Sequence, residues 1–238
     1  MDPGRIVVIG DSHIGLGDGS ETEVNAWLDR LAAQSPKALY LNGDLFHYLI
    51  AHPTFRTAAV DAVLNKFREL RARGIAVHYV EGNRDFFIKG SFVEEAVTDI
   101  ADEFAVVAGD KKFLVTHGDL INDRDWTYRF WRRASKNPLT KLGVNLFPKK
   151  SARRLVDSAE SYISNTNFEH KSRVPVERIQ DYARRRAADG FTHVVLGHFH
   201  EKTVIPGERT VIVLPPWYET GEAMVIDPAT GAFDFAVI

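Results

Sequence analysis

No cysteine occurs among the 238 residues. Disulfides and thiolate-bound metals are therefore excluded, and any metal must be held by imidazole, carboxylate or amide groups. A thiol-free chain also fits a reducing compartment. No run of about 18 apolar residues occurs, so no membrane-spanning helix is expected. The opening "MDPGRIVVIGDSH" has too short an apolar run for a secretory signal and meets charge at once, so a cytoplasmic location is expected. Neither sign of charge is in excess. Lys and Arg number 30 and Asp and Glu 32, a formal net charge of -2. That balance gives no general case for nucleic acid as a partner and leaves room only for local basic patches. Repeats and low-complexity tracts are absent too.

The chain does have 45% hydrophobic residues, enough for one large core. Short apolar runs at 5–10, 38–43, 75–82 and 112–118 read as strands. Between them, 22–34 places Val24, Trp27, Leu28 and Leu31 on one helical face. Residues 55–74 read as a helix stopped at Gly74, and 92–104 as a short helix. From 122 to 175 the pattern changes to helical stretches broken at Pro138, Gly143 and Pro148. Residues 124–155 hold ten basic side chains and one acidic one, interleaved with Trp126, Phe130, Trp131, Leu142, Leu146 and Phe147. Residues 175–190 form a further helix between Pro175 and Gly190. Strands follow at 192–197, 210–214, 223–227 and 233–238, the last ones close enough to pair antiparallel. The expected fold is a mixed-sheet α/β sandwich. Residues 1–121 and 176–238 would form its body and 122–175 a helical cap.

Five strands end on polar residues with glycines beside them: "VVIGDSH", "LYLNGD", "YVEGNRD", "FLVTHGD" and "VVLGHFH". Sites in α/β sheets form at the carboxyl ends of strands, and glycine lets the backbone turn sharply there. The ends supply Asp11, His13, Asp44, Asn83, His117, His198 and His200. That is four imidazoles, two carboxylates and one amide. One ion takes four to six ligands, so seven groups suit two ions with a carboxylate between them. A thiol-free set of this kind suits Mn²⁺, Fe or Zn²⁺ better than Ca²⁺ or structural zinc, and of these Mn²⁺ is the ion expected. His47, His52, His78, His170 and His193 fall outside this punctuation and are assigned to loops and packing. Arg84, next to Asn83, is placed to grip phosphate oxygens through its planar fork, with a structural pair to Asp85 as the alternative.

In order and spacing, these blocks resemble the signature of the calcineurin-like metallophosphoesterases. The resemblance spans residues 5 to about 215. It implies a four-layer sandwich of two mixed sheets flanked by helices, with a dinuclear metal centre. Asp11, His13 and His200 would hold one ion, Asn83, His117 and His198 the other, and Asp44 would bridge them. Asp44, Asn83, Arg84 and His117 would be the catalytic set, acting with a metal-activated water. Within that family, "LNGDLFHYLI", "EGNRDFF" and "VTHGDLIND" look like the UDP-2,3-diacylglucosamine pyrophosphatases of lipid A biosynthesis. This implies cleavage of a lipid-linked sugar nucleotide to UMP and 2,3-diacylglucosamine 1-phosphate. The cap would take acyl chains on its apolar side chains and anionic groups on its basic ones, with peripheral contact to an anionic inner-membrane surface. Asp123, Ser161, Asn165, Lys171, Arg84 and His198 would line the substrate site, and a residue of "PPWYETG" would close it. The alternatives are a phosphoesterase for another monoester, diester or nucleotide, and a noncatalytic scaffold that binds a membrane or partner.

Overall fold

The structure, a computed structural model, describes residues 4–17, 19–123, 125–137, 139–140 and 174–238. Its frame is two sheets laid face to face. The first has six strands in the order β13 (Phe233–Val237), β12 (Glu222–Ile226), β1 (Ile6–Ile9), β2 (Ala38–Asn42), β4 (Ala76–Val80) and β6 (Asp99–Ala101). From β1 to β6 the pairing is parallel, and β12 and β13 close the far edge antiparallel. The second sheet runs β10 (Thr203–Ile205), β11 (Thr210–Val213), β9 (His193–Leu196), β8 (Lys111–Thr116) and β7 (Glu103–Ala108). Its centre, β11-β9-β8, is parallel and both edges are antiparallel. The expected mixed α/β architecture is present.

The strands carry continuous apolar runs because both faces of each sheet are covered. Alternation then sorts the side chains. Ile6 and Val8 face the other sheet, while Val7 and Ile9 face helices α1 (Ser20–Ala33) and α2 (Ala58–Ala72). In the second sheet Phe113, Val115, Val195 and Ile212 face inward. Leu114, Val194, Leu196, Val211 and Val213 pack on helix α4 (Val176–Ala187) through its buried Ile179 and Ala183. Helix α1 buries Val24, Trp27, Leu28 and Leu31, the face its spacing predicts. Full burial of side chains such as Phe67 of α2 contributes roughly 1.5–3 kcal/mol each. Thr57 caps α2 by accepting from the Val60 N–H at 3.3 Å.

One element differs from its sequence reading. Residues 92–104 form no α-helix; a 3-10 turn at Glu94–Ala96 leads into edge strand β6 and then β7. Pairing won over periodicity there. The Thr98 N–H donates to Val77 O at 2.7 Å, and Thr98 Oγ1 accepts from the Val77 N–H at 2.9 Å. A small parallel pair, β3 (Leu49–Ile50) and β5 (Asp85–Phe86), and the short helix α5 (Trp217–Thr220) were also not anticipated. In the region expected to be a cap, helix α3 covers Trp126–Ser135. Among the described residues no helix is long and apolar enough to cross a membrane.

Candidate metal centre

All five polar strand ends meet at one end of the sandwich. Asp11 and His13 follow β1, Asp44 follows β2, Asn83 follows β4, His117 follows β8, and His198 and His200 follow β9. Parallel pairing of β1, β2 and β4, and of β8 and β9, aligns their carboxyl ends. The loops are stitched across the sheets: Asp11 N–H donates to Gly43 O at 3.3 Å, His13 N–H to Asp44 O at 3.1 Å, and Gly197 N–H to His117 O at 3.0 Å. A Cβ on Gly197 would lie 2.7 Å from Asp11 Oδ2, and one on Gly82 would run into the Asp44 carboxylate. At these two positions glycine is a spacing requirement.

The seven side chains form two adjoining groups. In one, His13 Nε2 and His200 Nε2 are 3.2 Å apart, with Asp11 Oδ1 3.2 Å from His200 and 3.8 Å from His13. In the other, Asn83 Oδ1 lies 3.0 Å from His117 Nε2 and 3.1 Å from His198 Nδ1. Asp44 Oδ1 is 3.6 Å from His117 Nε2. Donor atoms of Asp11, Asp44 and His117 also converge, so Asp11 touches both groups. The two histidines of "GHFH" thus serve different groups. They do so from beyond the end of β9, and Phe199 between them packs against the α4 layer.

The donor chemistry fits cations. His117 Nδ1 is 3.0 Å from Asn42 O, a carbonyl that only accepts, so Nδ1 carries the proton. The Nε2 lone pair then faces two oxygens, Asn83 Oδ1 and Asp44 Oδ1. Acceptors that face one another in a buried site call for a proton or a metal ion among them. Electrostatics says the same. Burial works against Asp11 ionising, but the hydrogen bond with His200 and the charges of His117, His200 and His13 hold its carboxyl well below the usual range. Burial pushes Asp44 up, opposed by His117 and reinforced by Asp11. Burial also acts to lower His117, yet Asp44 and Asp11 raise it.

Arg84 points at this centre and not at Asp85. Its backbone N–H donates to Asp44 Oδ1 at 2.9 Å, and its Nε is 3.5 Å from Asp44 Oδ2. Its guanidinium lies over the Tyr48 ring at 4.8 Å and donates to His47 O at 3.2 Å. Asp85 has other work: it accepts from Tyr79 Oη, the Gly82 N–H and the Asp44 N–H at 2.9, 2.7 and 3.2 Å. Burial, with the charge of Asp44, pushes its carboxyl up to about 6.

Two further residues border the centre. The His47 ring lies edge-on to that of His13, their centroids 5.9 Å apart, so this loop residue packs at the rim of the centre. Its position three residues past Asp44, on the loop that returns along the site, was the missed signal. Tyr218 sits with its ring 5.3 Å from His13 and 5.8 Å from His200. In "PPWYETG" it is Tyr218 that faces the centre, while Trp217 is buried against Trp27. Asp123 is not brought to the ligands. It is exposed, pairs with Arg185 of α4 at 3.5 Å, and lines a polar cleft with Glu177 and Asp181. Ser161, Asn165 and Lys171, and His170, lie outside the described residues.

Comparison with known proteins gives a consistent picture. The family model for the calcineurin-like phosphoesterases matches residues 4–202. A UDP-2,3-diacylglucosamine hydrolase of Pseudomonas putida strain F1 is 31% identical over 231 residues, spanning 93% of this chain and 95% of the relative. One from Xanthomonas campestris pv. campestris is 28% identical over 234 residues, spanning 92% and 94%. Among solved structures, a dimetal phosphatase from Danio rerio superposes with a TM-score of 0.51 at 14% identity, covering 99% of both chains. At that identity the likeness concerns the fold.

Proposed function

This chain belongs to the calcineurin-like phosphoesterases, and from that premise we propose that it hydrolyses the diphosphate of UDP-2,3-diacylglucosamine. Water would add at one phosphorus, the P–O–P bridge would break, and UMP and 2,3-diacylglucosamine 1-phosphate would leave. Asp11, His13 and His200 would hold one divalent ion and Asn83, His117 and His198 the other, with Asp44 between them. Two such ions, Mn²⁺ for preference, would supply Lewis-acid polarisation of the phosphoryl group and a more acidic water. The chain's own residues do the rest. Arg84, braced by Tyr48 and His47, binds phosphate oxygens and stabilises the charge that grows on them. His117 is kept in one tautomer by Asn42 O. Tyr218 and His47 flank the first group and limit what can enter beside it.

The observation that carries the substrate choice is the orientation of α3. Its polar side, Tyr128, Arg132 and Lys136, is docked on the protein. Its apolar aromatics are turned out: Trp126 is 77% exposed, Phe130 66% and Trp131 63%. Trp126 and Phe130 line an open cleft of about 840 Å³ with Phe87, Arg129 and Arg133. Apolar and cationic groups side by side suit a ligand with acyl chains and a diphosphate. The relatives named as hydrolases of such a molecule support the same reading. On it, residues 122–175 are the acyl-binding cap, and the exposed aromatics bring the enzyme onto an anionic bilayer surface from the cytoplasm.

The test is release of UMP from UDP-2,3-diacylglucosamine by metal-stripped protein to which Mn²⁺ is returned. Restored activity, lost in Asp44→Asn and His198→Ala, is the expected result. Hydrolysis of simple aryl phosphates with none of the acylated sugar nucleotide would move the enzyme to another substrate within its family.

A further inference from the structure

We propose that Arg132 of α3 and Lys136, which caps its C-terminus, are positioning residues for the half of the metal centre built on Asn83, His117 and His198, so that this half reaches full ion affinity only with α3 docked. The inference rests on the two-ion reading above.

Tyr128, Arg132 and Lys136 are four residues apart and so share one helical face. Tyr128 Oη donates to Asp119 Oδ2 at 2.7 Å, and Arg132 Nε lies 2.6 Å from the same oxygen. Arg132 Nη2 also donates to Glu81 O at 3.1 Å. Lys136 Nζ donates to Glu81 Oε1 and to Gly82 O, both at 2.6 Å. Glu81 and Gly82 lead directly into Asn83, and Asp119 is two residues past His117. Asn83 Oδ1 is the atom that both His117 and His198 approach. Among the described residues, the hydrogen bonds and ion pairs that α3 sends to the body all go to these two loops; none goes to the loops carrying Asp11, His13 and His200.

Stability alone does not account for this. The four charged side chains are nearly dry, with 3% exposure for Asp119, 12% for Arg132, 11% for Lys136 and 10% for Glu81. Desolvating such pairs costs about what their attraction returns. A helix needing only attachment would bury its apolar aromatics, and α3 exposes Trp126, Phe130 and Trp131. What the buried pairs do provide is fixed geometry at the two backbone segments that aim Asn83 and His117.

The test is a Mn²⁺ titration of the stripped full-length protein, with free ion counted by electron paramagnetic resonance. Wild type is expected to take up two ions. Arg132→Gln and Lys136→Met should keep one at wild-type affinity and weaken the other by about tenfold to a hundredfold, the usual effect of losing a ligand's supporting partner. Arg132→Lys should recover part of the loss. Tyr128→Phe removes one hydroxyl and is read the same way if the charge variants do not fold; it should weaken the same ion by a smaller factor. Two ions at wild-type affinity in folded variants would overturn the proposal. So would equal weakening of both ions, which is what general loosening of the fold produces. A wild-type protein that takes up fewer than two ions removes the two-ion reading itself, before any variant is compared.

Discussion

Asp11, His13, Asp44, His198 and His200 all hold left-handed backbones, with φ between 44° and 68°. Among the described residues only Ser35 and Phe87 join them outside glycine. Side-chain-bearing residues are rare there, and each costs of order 1–3 kcal/mol. The strain is the consequence of turning the chain back at a strand end while aiming a donor inward. It gives a prediction at single positions. In metal-free protein, His198→Gly should be more stable than His198→Ala by about 1 kcal/mol, and both should be inactive. Equal midpoints in urea would show that no strain is stored at His198. Arg84→Lys should retain the fold and lower kcat by about a hundredfold or more, because an ammonium cannot reproduce a braced planar fork; near-normal kcat would remove Arg84 from the reacting phosphate. The seven donors were legible in the sequence because five of them adjoin a glycine at a strand end, and His13 and His200 lie two residues past Asp11 and His198. His47 was not, since it reaches the centre along the return path of a loop, nor was the choice of Tyr218 within "PPWYETG", which the packing of Trp217 on Trp27 decides.

At the scale of elements, α3 is an amphipathic helix worn inside out. Its sequence reveals the amphipathicity but not which side docks. That choice is made by the buried carboxylates of Asp119, on the loop after β8, and of Glu81, far back along the chain after β4. Segment 92–104 failed for a related reason. Phe92, Ala96, Ile100 and Phe104 repeat every four residues, as a helix would, yet β4 offered an open edge and Thr98 matched it. Local period cannot report an unpaired neighbour. For α3, the orientation predicts separable kinetics. Trp126→Ala with Phe130→Ala should raise KM for UDP-2,3-diacylglucosamine by about tenfold or more, since each large aromatic buries about 2 kcal/mol of contact on binding. The same pair should leave hydrolysis of a small aryl phosphodiester unchanged. An equal loss on both substrates would mean that the aromatics support the metal loops and do not meet acyl chains.

The whole molecule depends on the layer between its sheets, and that layer contains two histidines. His78 of β4 stacks on Tyr40 at 4.6 Å with ring planes 19° apart, and His193 of β9 lies 4.6 Å from Phe113. The sequence assigns both to loops and packing, and in the structure each lies against an aromatic ring. Burial lowers both imidazoles from the 6.5 of a free side chain, opposed by Asp99 at His78 and aided by Lys111 at His193. The sign of the effect follows from proton counting. In the unfolded chain each takes a proton as pH falls through about 6.5, and in the folded chain each does so only at lower pH. The unfolded state therefore binds more protons in that window, and stability falls as the pH drops below about 6.5. Stability is full above it, where both states are neutral. Other groups titrate nearby, His117 with a raised value among them, so the prediction is a difference. Urea unfolding of chelator-treated protein at pH 7.5, 6.5 and 5.5 should show a gentler decline for His78→Phe with His193→Phe than for wild type. The metal-site histidines are the same in both proteins and cancel in that comparison. Parallel declines would mean that water reaches the inter-sheet imidazoles freely and that this layer is less closed than the packing of Tyr40, Phe113 and Phe233 implies.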